Sequence, residues 1–143
     1  MPIMQLSVFL ENRAGRLHEI LSLLESGGVN IRALTLADKA EYGILRLIVD
    51  DPSKALSAAK EKKFSVSETP VIAVETEDKP GGLTKILRLF IEHAINIEYS
   101  YACAGKTGDK ALVIFRVDDP ARAETVLSKN NIRTAGQDTV CTV

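Results

Sequence analysis

The first part of the chain has a pattern of apolar and polar positions that predicts a strand followed by a helix. Ile3–Leu10 alternates loosely and is rich in strand-forming residues, which is typical of a strand. Apolar residues then recur at helical spacing and define one face of a helix: Leu17, Ile20, Leu21 and Leu24. Gly27-Gly28 follows and predicts the end of that helix.

The next segment predicts a hairpin, a second helix and a short strand. Val29–Ala37 and Ile44–Val49 are two strand-like runs, and the polar segment between them is short enough for a hairpin. Asp51-Pro52 predicts a helix start, because aspartate is a good N-cap and proline suits the first helical position. Phe64–Thr69 then predicts a last strand.

The second half of the chain repeats the first, and this repeat organises the whole sequence. An offset of 66 residues carries Gly15 onto Gly81 and Asn30 onto Asn96. Apolar helix positions match at the same offset, since Leu17, Ile20 and Leu21 fall on Leu83, Ile86 and Leu87. The Asp-Asp-Pro motif at 50–52 recurs at 118–120, an offset of 68. Two extra residues are therefore expected in the glycine-containing segment Ala104–Lys110, as a longer hairpin loop.

Each copy reads βαββαβ, which predicts a ferredoxin-like α+β unit: an antiparallel four-stranded sheet with two helices on one face. The two domains are predicted to comprise residues 1–68 and 69–143. The predicted elements of the second copy are strand Val71–Glu75, helix Gly81–His93, strands Ile95–Cys103 and Ala111–Val117, helix Pro120–Lys129 and a strand near Ile132–Val140. Because each unit is small and each sheet has open edges, we expect the copies to pair and the chain to form a homodimer.

Composition narrows the possible functions. The net charge is −1, from 18 basic and 19 acidic residues, which disfavours nucleic acid as a partner. The apolar runs are too short for a membrane span and the N-terminus lacks a signal-peptide pattern, so the cytoplasm is the expected location. Cys103 and Cys141 are interpreted as incidental thiols. No constellation predicts a metal site, a cofactor or a nucleophile, so we do not expect an enzyme.

A polar turn between the first strand and the first helix of each copy is the candidate binding site. The turns are Asn12-Arg13-Ala14-Gly15 and Asp78-Lys79-Pro80-Gly81. Each precedes a helix N-terminus, whose unpaired N–H groups and dipole favour a carboxylate. The side-chain oxygens of Asn12 and Asp78 could take the ammonium of the same molecule, with Asn30 and Asn96 at the start of the second strand. A zwitterion is therefore a sensible ligand class.

A structural role is the alternative interpretation of the same residues. Gly15 and Gly81 would then only permit tight turns. Asn12 and Asp78 would only cap the helix. Asn30 and Asn96 would only fix the start of a strand.

The pattern of polar turn, Gly-x-Leu, helix and then (Val/Ile)-Asn-Ile resembles the ACT domain, once in each copy. ACT domains are βαββαβ regulatory modules that bind amino acids or similar small ligands, usually where two such domains meet. The resemblance implies a tandem ACT protein that regulates and does not catalyse. The second copy, from Asp78 to Leu83, matches the loop motif better, because Ala14 stands where the family usually has proline.

The resemblance also implies which residues contact the ligand: Asn12, Arg13, Ala14, Gly15, Asn30, Asp78, Pro80, Gly81 and Asn96. Serine-sensing ACT domains use asparagines at the positions of Asn12 and Asn30. The histidine that those domains also use would fall on Leu10 or Thr76, so serine is not supported as the ligand. The first copy further resembles the small regulatory subunit of acetolactate synthase, an ACT protein that senses valine, which implies a partner enzyme as a second possibility.

Overall fold

The structure is a computed structural model and describes residues 2–107 and 110–140, without the side chains of residues 38–39 and 104–107. The chain divides into two compact units, one of Met4–Thr69 and one that comprises the chain from Pro70 onward together with the residues up to Ile3. Hydrophobic residues at the alternating strand positions and along one face of each helix form a separate core in each unit.

The first unit is an antiparallel sheet with two helices. Its elements are β1 (Ile3–Glu11), α1 (Arg16–Ser26), β2 (Ile31–Lys39), β3 (Tyr42–Val49), α2 (Pro52–Glu61) and the first part of β4 (Ser65–Glu77). β3 lies between β1 and β2 and pairs antiparallel with both. Alternate residues of β1 and β3, such as Leu6 and Leu47, pack against Leu24 of α1 and Ala59 of α2 to form the core.

The second unit repeats this arrangement. Its elements are the second part of β4, then α3 (Gly82–Glu92), β5 (Ile97–Thr107), β6 (Lys110–Val117), α4 (Pro120–Lys129) and β7 (Thr134–Ala135). β4 pairs with β7 on one side and with β6 on the other, and β6 pairs with β5. This strand order is the ferredoxin-like one, so the predicted α+β fold class is confirmed.

The second helix of each unit begins in the same way. Asp51 accepts a hydrogen bond from Lys54 N at 3.1 Å, and Asp119 accepts one from Arg122 N at 3.2 Å. A proline occupies the first turn of both helices. The N-cap and proline signals in the sequence were therefore read correctly, and both helix starts obey the same local rule.

Two predicted details of the strands are wrong. The strands predicted at Phe64–Thr69 and Val71–Glu75 are one continuous strand, β4, which begins at Ser65. The predicted last strand near Ile132–Val140 is only the two residues of β7. The chain turns immediately after it, because Val140 N donates to the Gly136 carbonyl at 2.9 Å.

The two extra residues of the second copy form a bulge in β5 and not the longer loop that we predicted. Ala102 pairs with Val113, and Lys106 pairs with Ala111. Between these two pairs, β5 advances by four residues while β6 advances by only two. A bulge absorbs extra residues within a strand without breaking the pairing on either side. The tip of this hairpin, residues 108–109, lies outside the described residues.

One cysteine also differs from its interpretation. Cys103 is in a disulfide bond, so it is not an incidental thiol. Cys141 lies outside the described residues. Among the described helices, none is long and apolar enough to cross a membrane.

Candidate functional site

The turn before the first helix has the same backbone conformation in both units. Gly15 has φ +90° and Gly81 has φ +85°, in the left-handed region that favours glycine. Both glycines are the N-cap residues of their helices, and neither helix has a side-chain cap. Glycine therefore occupies the N-cap position of both helices, and Asn12 and Asp78 lie three residues before it.

The first turn of each helix presents backbone donors. The first bond of α1 runs from Glu19 N to Gly15 O, and the corresponding bond of α3 runs from Lys85 N to Gly81 O. Within the described part of the chain, the N–H groups of Leu17 and His18 meet no acceptor, and neither do those of Leu83 and Thr84. Both units therefore have donors and a helix dipole that favour an anion.

Asn12 and Arg13 are exposed and already engaged within the first unit. The Asn12 side-chain amide donates to the Ala40 carbonyl at 3.1 Å and so ties the turn to the β2–β3 hairpin. The Arg13 guanidinium lies 3.1 Å from Glu11 and 3.8 Å from Glu19. Both residues line a small concave site of about 80 Å³ together with Leu36 of β2. Ala14 is exposed beside them.

Asn30 and Asn96 lie away from these turns. Each precedes the second strand of its unit, at the far end of the preceding helix. That helix has 11 residues in each unit, so roughly 16 Å separates the turn from the asparagine. Their backbone N–H groups donate to Asp50 and Asp118 at 2.9 and 3.1 Å. The structure does not bring Asn12 and Asn30 of one unit into one groove.

The turn of the second unit carries more charge. Asp78, Pro80 and Gly81 are exposed. The Lys79 ammonium lies 2.7 Å from the Glu77 carboxylate. The pKa of Glu77 is lowered, first by the hydrogen bond from Lys79 and then by the positive charges of Lys79, Lys110 and Lys85. The carboxylate at the end of β4 therefore has three lysines near it: Lys79, Lys85 and Lys110.

A family model described as "ACT domain pair" matches residues 1–143 of the chain. The chain belongs to the ACT domain pair family. The resemblance found in the sequence is thereby confirmed, and it covers both units. The family consists of regulatory, amino-acid-binding modules with a ferredoxin-like fold.

Solved structures agree with this assignment. A crystal structure of a protein from Bacteroides thetaiotaomicron is 34% identical, with 100% of this chain and 98% of that chain covered and a TM-score of 0.93. The regulatory subunits of aspartate kinase from Thermus thermophilus and Thermus flavus are 14% and 15% identical, with TM-scores of 0.66 and 0.65. Those matches cover 90% of this chain in both cases, and 93% and 90% of the subunits. Among curated proteins, nothing matches the chain.

In the first ACT unit, Arg16 fills the space beside the start of α1. Its guanidinium stacks on the Phe64 ring, 4.5 Å from the ring centroid. It also forms an ion pair with Glu19 at 2.6 Å and lies 3.7 Å from Glu11. Stacking and pairing hold this side chain over the end of the core.

In the second ACT unit, no side chain extends from the corresponding position, because the Glu77 carbonyl oxygen lies where its Cβ would be. Gly82 stands where Arg16 stands in the first unit, and a groove of about 360 Å³ lies beside it. We call this the β4 groove, because it follows the end of β4 between α3 and the segment after α4. Its lining includes Thr76, Lys85, Lys110, Ile132 and Arg133.

The sequence interpretation missed Gly82 and Lys85, and it named Thr76 only as the counterpart of a histidine that serine-sensing ACT domains use. A position-by-position comparison of the copies would have found them, because they replace Leu10, Arg16 and Glu19 at the offset of 66 residues. No cluster of the described residues could hold a metal ion.

Proposed function

We propose that the protein is a regulatory module that binds an amino acid at its strand-to-helix turns and has no catalytic activity of its own. Membership of the ACT domain pair family is the observation that carries the proposal. The ligand carboxylate meets the N–H groups around Gly15 or Gly81, and its ammonium meets Asn12 or Asp78. The unpaired donors of Leu17, His18, Leu83 and Thr84 support this orientation of the ligand.

A second copy of the chain completes the site in this proposal. Asn30 and Asn96 are a helix length away from the turn of their own unit, so a ligand contacts them only from another unit or molecule. β2 pairs with β3 alone among the described residues. It exposes 45% of Leu34 and 47% of Leu36, which favours a partner along this strand and hence a homodimer. Light scattering over a wide range of protein concentrations tests the homodimer. A molecular mass equal to that of the monomer at every concentration would contradict it.

Replacing Asp78 with alanine tests the site. The charged carboxylate should hold the ligand ammonium by a charge-assisted hydrogen bond, which is stronger than a neutral one. We expect Asp78→Ala to weaken binding by about 1.5–3 kcal/mol in calorimetry with the amino acid that binds most tightly.

The matched control is Asp138→Ala, because Asp138 is an equally exposed aspartate outside the turn. It should leave the affinity unchanged. An amino acid that binds Asp78→Ala as tightly as the unchanged chain would show that the polar turn has only a structural role.

A regulatory subunit of an amino-acid biosynthetic enzyme is the second candidate function. The observation in its favour is the structural likeness to regulatory subunits of aspartate kinase, of which the matches cover 93% and 90%. A synthase or kinase that co-purifies with the chain would favour this candidate over a free sensor. For both candidate functions, we propose that the protein is located in the cytoplasm.

A further inference from the structure

We propose that the β4 groove of the second unit binds a small organic carboxylate through Lys85, Lys110 and the hydroxyl of Thr76. This site goes beyond the proposed amino-acid site and shares none of its residues. The groove volume of about 360 Å³ falls in the range of small-molecule sites.

Thr76 is the first observation that points to a ligand. Only 5% of it is exposed, and it lines the groove. Its hydroxyl makes no hydrogen bond with any described residue. A hydroxyl that lines a groove and has no protein partner is able to donate a hydrogen bond to a molecule bound there. In the first unit the same position is Leu10, which belongs to the hydrophobic core.

The second observation is the change from Arg16 to Gly82. In the first unit the Arg16 side chain occupies this space and stacks on Phe64. The counterpart of Phe64 is Ile132, because both N–H groups donate to the carbonyl five residues earlier, at 3.0 and 2.9 Å. The Glu77 carbonyl oxygen lies where a Cβ of residue 82 would be, so no side chain from this position enters the groove. Isoleucine lacks the aromatic ring on which an arginine could stack.

The third observation is the sign of the charge. Glu19, the partner of Arg16, is replaced by Lys85 in the second unit. Lys85, Lys110 and Arg133 line the groove with two acids, and one of these, Glu77, is ion-paired with Lys79. Positive groups therefore outnumber the remaining acid, Glu75. An anion fits this balance, and a carboxylate also accepts the hydrogen bond that the Thr76 hydroxyl can donate.

Titration of the full chain by two-dimensional amide NMR tests the proposal. The probes are acetate, succinate and citrate, with sodium chloride at equal ionic strength as the reference. We expect at least one carboxylate to shift the amides of Thr76, Lys85 and Ile132 in a saturable way. Their counterparts in the first unit, Leu10, Glu19 and Phe64, should not shift, because Arg16 fills their site.

Three variants make the test sharper. Thr76→Val keeps the shape and should weaken binding about tenfold, the usual effect of losing a hydrogen bond to a charged group. Lys85→Glu installs the residue of the first unit and should abolish binding, whereas Lys85→Arg should retain it. Lys60→Glu, at an exposed lysine of α2, is the control and should bind as the unchanged chain does.

Three results would overturn the proposal: no saturable shift with any of the three carboxylates, equal shifts in both units, or unchanged affinity in Lys85→Glu. Its failure is distinguishable from failure of the amino-acid site. Binding of an amino acid that depends on Asp78 but not on Lys85 leaves the proposed function intact and removes only the β4 groove.

Discussion

Replacing Phe90 with alanine should lower the free energy of unfolding of the second unit by about 3–5 kcal/mol. Phe90 is 1% exposed and packs edge-on against Phe115, with the ring centroids 5.4 Å apart. Truncation removes both the buried area and the contact between the rings, and it leaves a cavity between α3 and β6. Urea unfolding followed by circular dichroism measures the change.

The neighbouring residue provides the control for this prediction. Ile91 is on the same helix and is 78% exposed. Ile91→Ala should change stability by less than about 0.5 kcal/mol. Similar losses of unfolding free energy in Phe90→Ala and Ile91→Ala would mean that α3 does not pack on the core through the face that contains Phe90.

Replacing Leu24 with alanine should destabilise the first unit by about 2–5 kcal/mol. Leu24 stands at the position of Phe90 at the offset of 66 residues, and it is 1% exposed in the core of the first unit. We expect a smaller loss than for Phe90→Ala, since leucine has a smaller side chain and no aromatic partner. The hydrogen-exchange rates of the β3 amides measure this loss of stability within the first unit.

The next residue along α1 is again the control. Glu25 is exposed, and Glu25→Ala should leave the exchange of the β3 amides nearly unchanged. If Leu24→Ala exchanged no faster than Glu25→Ala, the equivalence of the two cores would be contradicted.

The sequence predicted the elements well where the signals are local. Apolar residues at helical spacing located α1 and, through the repeat, α3, and the Asp-Pro pairs located the starts of α2 and α4. An N-cap bond joins atoms only three residues apart, so the sequence contains it directly.

The sequence predicted less well where the outcome depends on partners distant in the chain. We predicted separate strands on the two sides of Pro70, yet β4 continues through this residue. Proline lacks a donor, but its carbonyl can still accept, and here it accepts from Arg116 at 2.8 Å. Glycines near 105 suggested a turn, and pairing with β6 made the segment a bulge instead.

The site shows the same limit. The sequence located the turns and their positive-φ glycines, because the repeat placed Gly15 and Gly81 before matching helices. It could not show that the Asn12 amide binds the Ala40 carbonyl, 28 residues away. It also could not show that Arg16 closes a space in the first unit that Gly82 leaves open in the second.

Amino-acid binding is the central claim, and a thermal-shift screen of the chain with the twenty amino acids tests it most directly. A ligand that binds only the folded state stabilises it, by about 2.7 kcal/mol at a concentration one hundred times its dissociation constant. We expect one amino acid, or a few of related chemistry, to raise the unfolding midpoint in a dose-dependent way. If none of the twenty raises the midpoint at millimolar concentration, the proposed function is contradicted.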